Sequence, residues 1–355
     1  MTDHRTLHAR MVTLPADLEN AIERALGSVS TVRWMREAQA LSERYRSARS
    51  DHSEPLATGR DQALGYAALI MPATYAQLWG AITATAARIP AWQPRTVLDL
   101  GSGPGTALWA AAARWPSLQT LTAWEREPAL IALGRDLVRS SATAAVRNAR
   151  WDRRDLRELP TNGSDRYDLV VIGHVLNELD GQTQQAVIDW AWQRTAGVLL
   201  LVEPGTSAAF PLVRAARDRL LDQGAHTIAP CVHDQPCPLQ NDWCHFPQRL
   251  KRPPFQRQAR GAPSEWEDSK FSYAAMSRLA PSNPIYARVI RETTSNKAYA
   301  ETKVSARDGI VHIRGSKRNK TAYRNVRSIE WGETLVEPVA DPIETTVLDP
   351  LQRND

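Results

Sequence analysis

Cysteine is the residue whose placement in this sequence most clearly indicates chemistry. All three cysteines of the 355 residues, Cys231, Cys237 and Cys244, fall in one short segment, APCVHDQPCPLQNDWCHF, which also contains His233 and His245. Metal ions and iron–sulfur clusters need several soft ligands that converge. Thiols used only as small core side chains have no reason to gather in one proline-rich loop. Three unrelated buried thiols remain the alternative, but the clustering favours a metal centre.

A second chemical motif, TVLDLGSGPGT, joins an apolar run to an acid and closely spaced glycines. Asp99 lies at the end of the run, and Gly101, Gly103 and Gly105 form a turn that would open a helix. This arrangement is typical of class I S-adenosylmethionine-dependent methyltransferases, because glycines let the backbone approach the cofactor while Asp99 receives its amino group or organises water. A dinucleotide site is a weaker alternative, because G-x-G-x-x-G needs glycine where Thr106 stands.

Two later acids fit the same cofactor. Glu125 ends the next predicted strand, about two dozen residues after Asp99, where a carboxylate can accept protons from both ribose hydroxyls. Asp155 precedes the following strand and would contact the adenine amine. Either acid alone could simply flank a helix, but strand, glycine turn, helix, strand and acid occur here in the expected order.

The candidate transfer site is the segment GHVLNEL, which follows the fourth predicted strand. His174, Asn177 and Glu178 are candidates to hold or deprotonate a substrate. They equally suit capping a helix or bracing the cofactor pocket. The segment lacks the N-P-P-aromatic signature that binds an amine undergoing methylation, and it has no cysteine to attack a pyrimidine ring. Catalysis is therefore less firmly indicated than cofactor binding.

The surrounding pattern predicts a parallel α/β core that positions these motifs. From Pro94 to Gly205, apolar strand runs alternate with helical patterns, which indicates a βαβ series. Before it, a long helical pattern is broken near Pro72. We expect four segments: a helical lobe over 1–90, a Rossmann-like class I methyltransferase core with a mainly parallel sheet over 91–225, a cysteine loop with a small β-rich basic module over 226–332, and a loose acidic tail over 333–355.

Positive charge is concentrated in one region of the chain. The net charge is +5, but residues 245–330 contain 18 Lys/Arg and 7 Asp/Glu, whereas the last 25 residues carry six acids and one Arg. Such a region attracts phosphate backbones, although an ordinary solvated surface is the alternative. The candidate phosphate contacts are Arg249, Lys251, Arg252, Arg257, Lys317, Arg318, Lys320, Arg324 and Arg327, and Trp243, Phe246, Tyr323 and Trp331 are candidates for base stacking or for the core.

Composition also limits the compartment. No stretch has the apolar length of a membrane helix, and the start lacks the pattern of a secretory signal. Acids at Asp3, Asp17 and Glu19 argue against a mitochondrial presequence. An odd number of clustered cysteines suits a reducing compartment. We therefore expect a cytoplasmic, monomeric protein that does not bind membranes.

Taken together, the motifs resemble the methyltransferase-like family associated with the small ribosomal subunit, known from bacteria and, as assembly factors, from mitochondria. The resemblance covers most of the chain. It rests on LSERYR, MPATYA, VLDLGSGPGTALWAA, HVLNEL, LVEPGT, the three-cysteine segment, EDSKFSY and the closing S-K-R-x-K-x-x-Y-R-x-x-R-x-x-x-W-G pattern. It implies an S-adenosylmethionine-binding core, association with small-subunit rRNA and a four-iron four-sulfur (4Fe-4S) cluster held by four cysteines.

Only three of the implied cluster ligands are present. They match Cys231, Cys237 and Cys244, while Ser305 stands at or beside the fourth position. The iron–sulfur cluster could persist with a serine, histidine or exogenous ligand on its fourth iron, zinc could bind three thiolates with His233 or His245, or the metal could be lost. We favour the cluster, and we expect ligand bonds to order a loop that buries little apolar surface.

The sequence thus predicts an S-adenosylmethionine-binding protein that acts on the small ribosomal subunit, either by methylating rRNA or as an assembly platform. A hypothesis of another class is a non-catalytic RNA-binding assembly factor whose cluster is structural or redox-sensing. A small-molecule methyltransferase, which would ignore RNA, is a third and weaker hypothesis.

Overall fold

A helical lobe precedes the central sheet in the computed structural model, which describes residues 11–46, 56–162, 164–281, 283–339 and 346–348. Apolar residues at helical spacing, such as Leu18 and Ile22, bury one face of the first helix. Pro72 lies at the start of the fourth helix, where its missing N–H costs no hydrogen bond. The lobe contains α1 (Ala16–Gly27), α2 (Thr31–Arg46), α3 (Arg60–Leu69) and α4 (Met71–Arg88).

The next segment alternates strands and helices, as the sequence predicts. In chain order, its elements are β1 (Thr96–Leu100), α5 (Thr106–Arg114), β2 (Thr120–Glu125), α6 (Pro128–Val138), α7 (Ala144–Arg147), β3 (Arg150–Arg153), β4 (Tyr167–Gly173), a 3₁₀ turn (Leu176–Glu178), α8 (Gly181–Arg194), β5 (Thr195–Pro204), α9 (Phe210–Asp222), β6 (His226–Ala229), β7 (Phe246–Lys251), α10 (Pro254–Arg260) and β8 (Trp266–Ser277).

These strands form one eight-stranded sheet in the order β3-β2-β1-β4-β5-β8-β6, with β7 paired to β8. β1 to β5 are parallel, whereas β8 is antiparallel to its neighbours. Leu169 and Val171 of β4 face one core while Val170 and Ile172 face the other, which is why the strand is apolar throughout. The predicted Rossmann-like class I methyltransferase fold is confirmed. The predicted boundary at residue 226 falls inside this sheet.

A second sheet follows, in the order β13-β9-β11-β12-β14 with β10 on β11. A Cβ on Gly315 would lie 2.4 Å from the carbonyl oxygen of Ala322, so glycine lets the last helix pack closely on its strand. The elements are β9 (Ala287–Val289), β10 (Thr294–Ser295), β11 (Tyr299–Ala306), β12 (Gly309–Ser316), α11 (Lys320–Arg327), β13 (Thr334–Leu335) and β14 (Thr346–Leu348).

The expectation of a loose tail over 333–355 is wrong for two short segments, because β13 and β14 pair with the second sheet. The remainder of the predicted tail, 340–345 and 349–355, lies outside the described residues, as does Asp3. Among the helices of the described ranges, none is long and apolar enough to cross a membrane.

Candidate functional site

The glycine turn lies at the carboxyl edge of the central sheet. Gly101 and Gly103 have φ values of 71° and 55°, in the left-handed region that favours glycine. A Cβ on Gly101 would lie 2.3 Å from Cγ2 of Val175, so no side chain fits there. A Cβ on Gly103 would lie no closer than 3.7 Å to the hydroxyl of Tyr66, because this glycine faces an open cavity.

Glu125 holds the turn in place from the end of β2. Its Oε2 accepts the N–H of Gly103 at 2.8 Å, and its Oε1 accepts those of Arg126 and Glu127 at 2.8 and 2.9 Å. Burial raises the pKa of Glu125, and these N–H groups oppose the shift. Because a carboxylate oxygen has two lone pairs, Oε2 retains one for a ligand hydroxyl.

The cavity has a volume of about 530 Å³, within the ~300–1,000 Å³ range of small-molecule sites. Its wall contains residues from several strand ends, as expected where parallel strands finish at one edge. Eight of the predicted site residues line it: the cofactor and transfer-site candidates Gly101, Gly103, Glu125, Asp155, His174, Asn177 and Glu178, and Arg252, which the sequence predicts as a phosphate contact.

Asp99 and Gly105 lie beneath the cavity rather than in its wall. Asp99 is 2% exposed, and its Oδ2 has no hydrogen-bond partner among the described residues. Burial, with a further contribution from the charge of Glu125, raises the pKa of Asp99 to about 8, so the carboxyl is protonated at neutral pH. A Cβ on Gly105 would lie 2.8 Å from the ring of Trp151, so this glycine serves packing.

The segment after β4 brings three polar side chains to the cavity. Burial lowers the pKa of His174 to about 4, and its Nε2, like Oδ1 of Asn177, is buried with no partner in the described ranges. Burial raises the pKa of Glu178 to about 7; Arg126 opposes this shift and the charge of Glu125 adds to it. A carboxyl that titrates near neutrality can exchange a proton with a substrate.

Glu203 fixes this segment from beneath, a role that sequence reasoning missed. It is fully buried at the end of β5, and its Oε1 accepts the N–H groups of Val175 and Leu176 at 3.1 and 2.9 Å. Burial raises its pKa to about 8. The available signal was an acid at the end of the apolar run GVLLLVEPG.

The helical lobe forms the opposite wall of the cavity, which sequence reasoning also missed. Tyr66 of α3 and Thr74 of α4 line it. Glu127 ties the lobe to the core by accepting the N–H groups of Leu56 and Ala57 at 2.7 and 2.6 Å. The motif MPATYA, which includes Thr74, was the available signal for this wall.

The three cysteines line one narrow pocket away from the cavity, together with Ser305 of β11. All three thiols are free. Burial raises the pKa of the Cys244 thiol, and Cys231 and Cys237, which line the same pocket, raise it further. Within the described part of the chain, no three His, Cys, Asp or Glu side chains stand in the arrangement that a single metal ion needs.

The two histidines of the cysteine segment differ from the cysteines in position. Neither His233 nor His245 lines the pocket. The ring of His245 instead packs between Trp243 and Trp331, with centroid distances of 5.2 and 4.9 Å. Both ring nitrogens of His233 are buried without a hydrogen-bond partner among the described residues.

Four arginines hold the cysteine loop by its carbonyl oxygens, and we call them the arginine frame. Arg217 and Arg288, 3% and 2% exposed, also line the cysteine pocket. Their buried positive charge favours an anionic occupant, although Arg217 also pairs with Asp218. Ligand bonds are therefore not the only source of order in this loop, contrary to expectation. The contacts are Arg214 to Leu239, Arg217 to His233 and Gln235, Arg288 to Pro230, and Arg291 to Trp243.

The predicted phosphate contacts fall into two groups. In the first, near β7 and α10, Lys251 is exposed and three arginines form ion pairs: Arg249 with Asp268 at 2.8 Å, Arg252 with Glu267 at 2.8 Å, and Arg257 with Glu265 at 3.9 Å. The second group, the α11 surface, is exposed and forms no ion pair with the residues described: Lys317, Arg318, Lys320, Arg324 and Arg327.

The four aromatic candidates for base stacking also differ in position. Phe246 is 2% exposed and belongs to the core. Trp243 and Trp331 enclose His245. Tyr323 lies on the α11 surface, with the ammonium of Lys317 5.3 Å from its ring centroid. Of the four, Tyr323 is the one that accompanies the unpaired basic side chains.

Comparison with known proteins finds relatives of this chain by sequence. Human ribosome assembly protein METTL17, mitochondrial, is 28% identical over 310 residues, which cover 82% of this chain and 66% of that protein. Rsm22-cox11 tandem protein 2, mitochondrial, of Schizosaccharomyces pombe is 24% identical over 337 residues, covering 80% of this chain and 44% of that protein. The chain thus spans less than two thirds of the length of these relatives.

Among the solved structures found by comparison is magnesium protoporphyrin IX methyltransferase from Synechocystis PCC 6803 with bound S-adenosylmethionine. It is 11% identical, covers 68% of this chain and 97% of its own, and gives a TM-score of 0.38. The family assignment comes from sequence: residues 60–336 match the family model described as "Mitochondrial small ribosomal subunit Rsm22". The chain therefore belongs to the Rsm22 family.

Proposed function

We propose that this chain is an S-adenosylmethionine-binding, methyltransferase-like protein that acts in assembly of the small ribosomal subunit by contacting its rRNA. The observation that carries the proposal is the hydrogen bond between Glu125 and the N–H of Gly103, in the wall of a cavity of about 530 Å³ on the carboxyl edge of the sheet. Membership of the Rsm22 family supports the ribosomal role.

Five residues would hold the cofactor around this turn. Gly101 and Gly103 would approach its methionine part with their backbone, and the free lone pair on Glu125 would receive a ribose hydroxyl. Asp155 would contact the adenine amine. Asp99, whose carboxyl lies beneath the glycine turn, would receive the amino group of the cofactor or organise water. The bound cofactor supplies an electrophilic methyl group.

In the enzymatic form of this proposal, the segment after β4 provides the transfer site. Asn177 and His174 would orient the substrate, since each carries a buried polar atom without a partner in the described ranges. Glu178, whose pKa is raised to about 7, would accept the proton that a nucleophilic nitrogen or oxygen releases.

A non-catalytic platform is the second candidate, favoured by the absence of an N-P-P-aromatic segment after β4. Incubation with labelled S-adenosylmethionine and immature small subunits separates the candidates. Methyl incorporation into rRNA that Glu178→Gln abolishes, while cofactor binding persists, supports the enzyme. Cofactor binding without incorporation supports the platform. Loss of cofactor binding is expected for Glu125→Ala, and a wild-type protein that binds no cofactor contradicts both candidates.

The α11 surface is the proposed rRNA contact. Ala322 and Val326 bury the inner face of α11, which leaves the basic side chains free to meet phosphates. The first basic group is less suited, because Arg249 and Arg252 would have to give up their carboxylate partners. A solvated ion pair contributes little stability, but the carboxylates that pair with these arginines also repel phosphate.

Salt dependence of RNA binding tests this assignment. Neutralising Lys320, Arg324 and Arg327 together to alanine should weaken RNA binding and reduce the slope of log affinity against log salt by about 2–3. Arg249→Ala is the matched control and should leave the slope nearly unchanged. Equal effects of the two changes would contradict the assignment, and salt-independent or absent RNA binding would favour a small-molecule methyltransferase.

The cysteine pocket is proposed to hold a four-iron four-sulfur cluster through Cys231, Cys237 and Cys244, with zinc as the alternative. The shared pocket and the buried guanidinium groups of Arg217 and Arg288 support an anionic centre. Anaerobic purification should yield iron and acid-labile sulfide, whereas zinc without sulfide would contradict the cluster. Free thiols suit a reducing compartment, and we propose a monomer in the cytoplasm.

A further inference from the structure

A second cavity lies where α4 and α5 meet the second sheet, and we call it the junction cavity. Its wall is formed by residues from 86–90, Arg114, and residues from 283–288 and 330–336. Its volume is about 530 Å³, and it shares no lining residue with the cavity at the glycine turn. Because α5 runs from the end of β1 back to the start of β2, its carboxyl end lies at the opposite edge of the sheet from that turn. A cavity of this size can hold a small organic molecule.

Arg88, the last residue of α4, brings a buried positive charge to the junction cavity. It is 4% exposed. Its Nε donates to the carbonyl oxygen of Ile228 at 3.2 Å, and its Nη1 donates to the carbonyl oxygen of Asn283. The third nitrogen, Nη2, makes no hydrogen bond with any residue in the described ranges, and it is not sealed from solvent. One donor of a buried guanidinium is therefore available to a ligand in this cavity.

No carboxylate among the described residues balances the charge of Arg88. Burial, together with the charge of Arg288, lowers the pKa of Arg88 to about 10, and Tyr273 opposes the shift, so the guanidinium stays protonated at neutral pH. Two acids also line the cavity, Glu330 and Glu333, but neither forms an ion pair with Arg88. The carboxyl end of a helix and backbone carbonyls favour a cation, but only through partial charges. A buried cation without a counter-charge is costly, which favours an anionic occupant.

Arg114 supplies a second positive charge from the neighbouring helix. It is half-buried in the last turn of α5, which packs against α4. Its guanidinium lines the junction cavity and forms neither a hydrogen bond nor an ion pair with the part of the chain described. Arg288 lines the cavity as well, but it donates to two backbone carbonyls and also lines the cysteine pocket. Arg88 and Arg114 therefore carry the inference, because guanidinium groups match the oxygens of carboxylates and phosphates.

The rest of the wall indicates what kind of anion fits. Ala86, Pro90 and Ile285 offer apolar contacts, whereas the two acids would repel a second negative group. We propose that the junction cavity binds a small organic oxyanion, a carboxylate or a phosphate monoester, whose charged group meets Arg88 and Arg114 and whose apolar body lies against the apolar side chains. This site is separate from the cofactor cavity, the α11 surface and the cysteine pocket, and it depends on none of their proposed ligands.

Isothermal titration calorimetry of the full chain with three aromatic probes tests the proposal. Phenyl phosphate and benzoate carry the two kinds of anionic group on the same ring, and phenol carries the ring without the charge. The proteins compared are wild type, Arg114→Ala, Arg114→Gln and Arg260→Ala. Arg260 is the matched control, because it also lies in the last turn of its helix but lines the cavity at the glycine turn. The two Arg114 variants keep the test intact if one of them fails to fold, which a thermal melt without ligand reports.

Wild type should bind phenyl phosphate, benzoate or both, and phenol should bind about tenfold more weakly or not at all. Binding of one anion alone would support the site and identify its oxyanion as phosphate or carboxylate. Both Arg114 variants should weaken anion binding by about tenfold, and Arg260→Ala should leave it unchanged. The inference would be overturned if wild type bound neither anion, if phenol bound as tightly as the anions, if the Arg114 variants bound like wild type, or if Arg260→Ala weakened binding as much as they do.

Discussion

Replacing Asp99 by asparagine should make the stability of the cofactor-free protein less dependent on pH. The pKa of Asp99 rises from 3.8 to about 8 on folding, because burial disfavours the charged form. Between these two values the folded state binds the proton that the unfolded state has released. The free energy of unfolding of the wild type therefore falls as pH rises, by up to about 1.4 kcal/mol per pH unit.

Urea unfolding followed by tryptophan fluorescence, at intervals from about pH 5 to about pH 8, measures this effect. The difference in unfolding free energy between Asp99→Asn and wild type should grow by up to about 4 kcal/mol across that range, because only the wild type has a carboxyl to ionise. Glu203 and Glu178 titrate in both proteins, so their contribution cancels in the difference.

Asp189 supplies a control of opposite sign. A hydrogen bond from Arg219 lowers the pKa of Asp189, so its stabilisation is present above the unfolded pKa and is lost only below it. Asp189→Asn should therefore change stability by a constant amount from about pH 5 to about pH 8. If the difference between Asp99→Asn and wild type were also constant, the folded carboxyl would be ionised and the reasoning about this site would be refuted.

Three further changes have defined outcomes. Glu203→Gln should also flatten the pH dependence of stability, since burial raises the pKa of Glu203 to about 8. The amide oxygen of the glutamine can still accept the N–H groups of Val175 and Leu176. An unchanged pH dependence in urea unfolding would contradict this prediction. Gly134→Ala should destabilise by about 1–3 kcal/mol, because the new Cβ would lie 2.1 Å from the ring of Trp151, while Gly27→Ala, with open space, should be nearly neutral in the same assay. If methyl transfer occurs, its rate should rise with pH near 7 as Glu178 ionises, and a Glu178→Gln variant that keeps this rise would exclude Glu178 as the base.

Local spacing was sufficient to predict the parts of the site that follow strand ends. The order of strand, glycine turn, helix, strand and acid places Gly103 and Glu125 at one edge of a parallel sheet, because parallel strands finish together. The grouping of the three cysteines could also be predicted from the sequence, because they lie within one short segment. Each of these features depends on residues that are close in sequence or linked by a regular crossover.

Other features depend on contacts between distant segments, which leave no periodic signature. Arg88 is one example: its guanidinium bonds the carbonyl of Ile228, 140 positions away. The arginine frame is another example. Its arginines donate to backbone carbonyls, which every residue has, so no residue type in the sequence marks the partner. Asp99 was correctly placed at the end of β1, but whether its carboxyl enters the cavity or lies beneath it depends on three-dimensional packing.

The antiparallel strand β8 connects the cavity to the cysteine pocket. Lys270 of β8 lines the cavity and Tyr273 lines the cysteine pocket, only three residues away. Between them, the hydroxyl of Ser272 donates to the carbonyl oxygen of Cys244 at 2.7 Å. Because β8 is paired on both sides, a shift of the cysteine loop would disturb the cavity wall.

The second sheet is fixed to the same loop by Arg288 of β9, which donates to the carbonyls of Pro230 and Gly332. The α11 helix packs on this sheet, so its basic surface is held in a defined position relative to the cavity. If the loop cysteines hold the proposed centre, its ligand bonds would add order at the same junction. The arginine frame already joins the two parts, and under the proposed function a metal would make their separation more costly, which would keep the proposed RNA-binding surface in place beside the cavity.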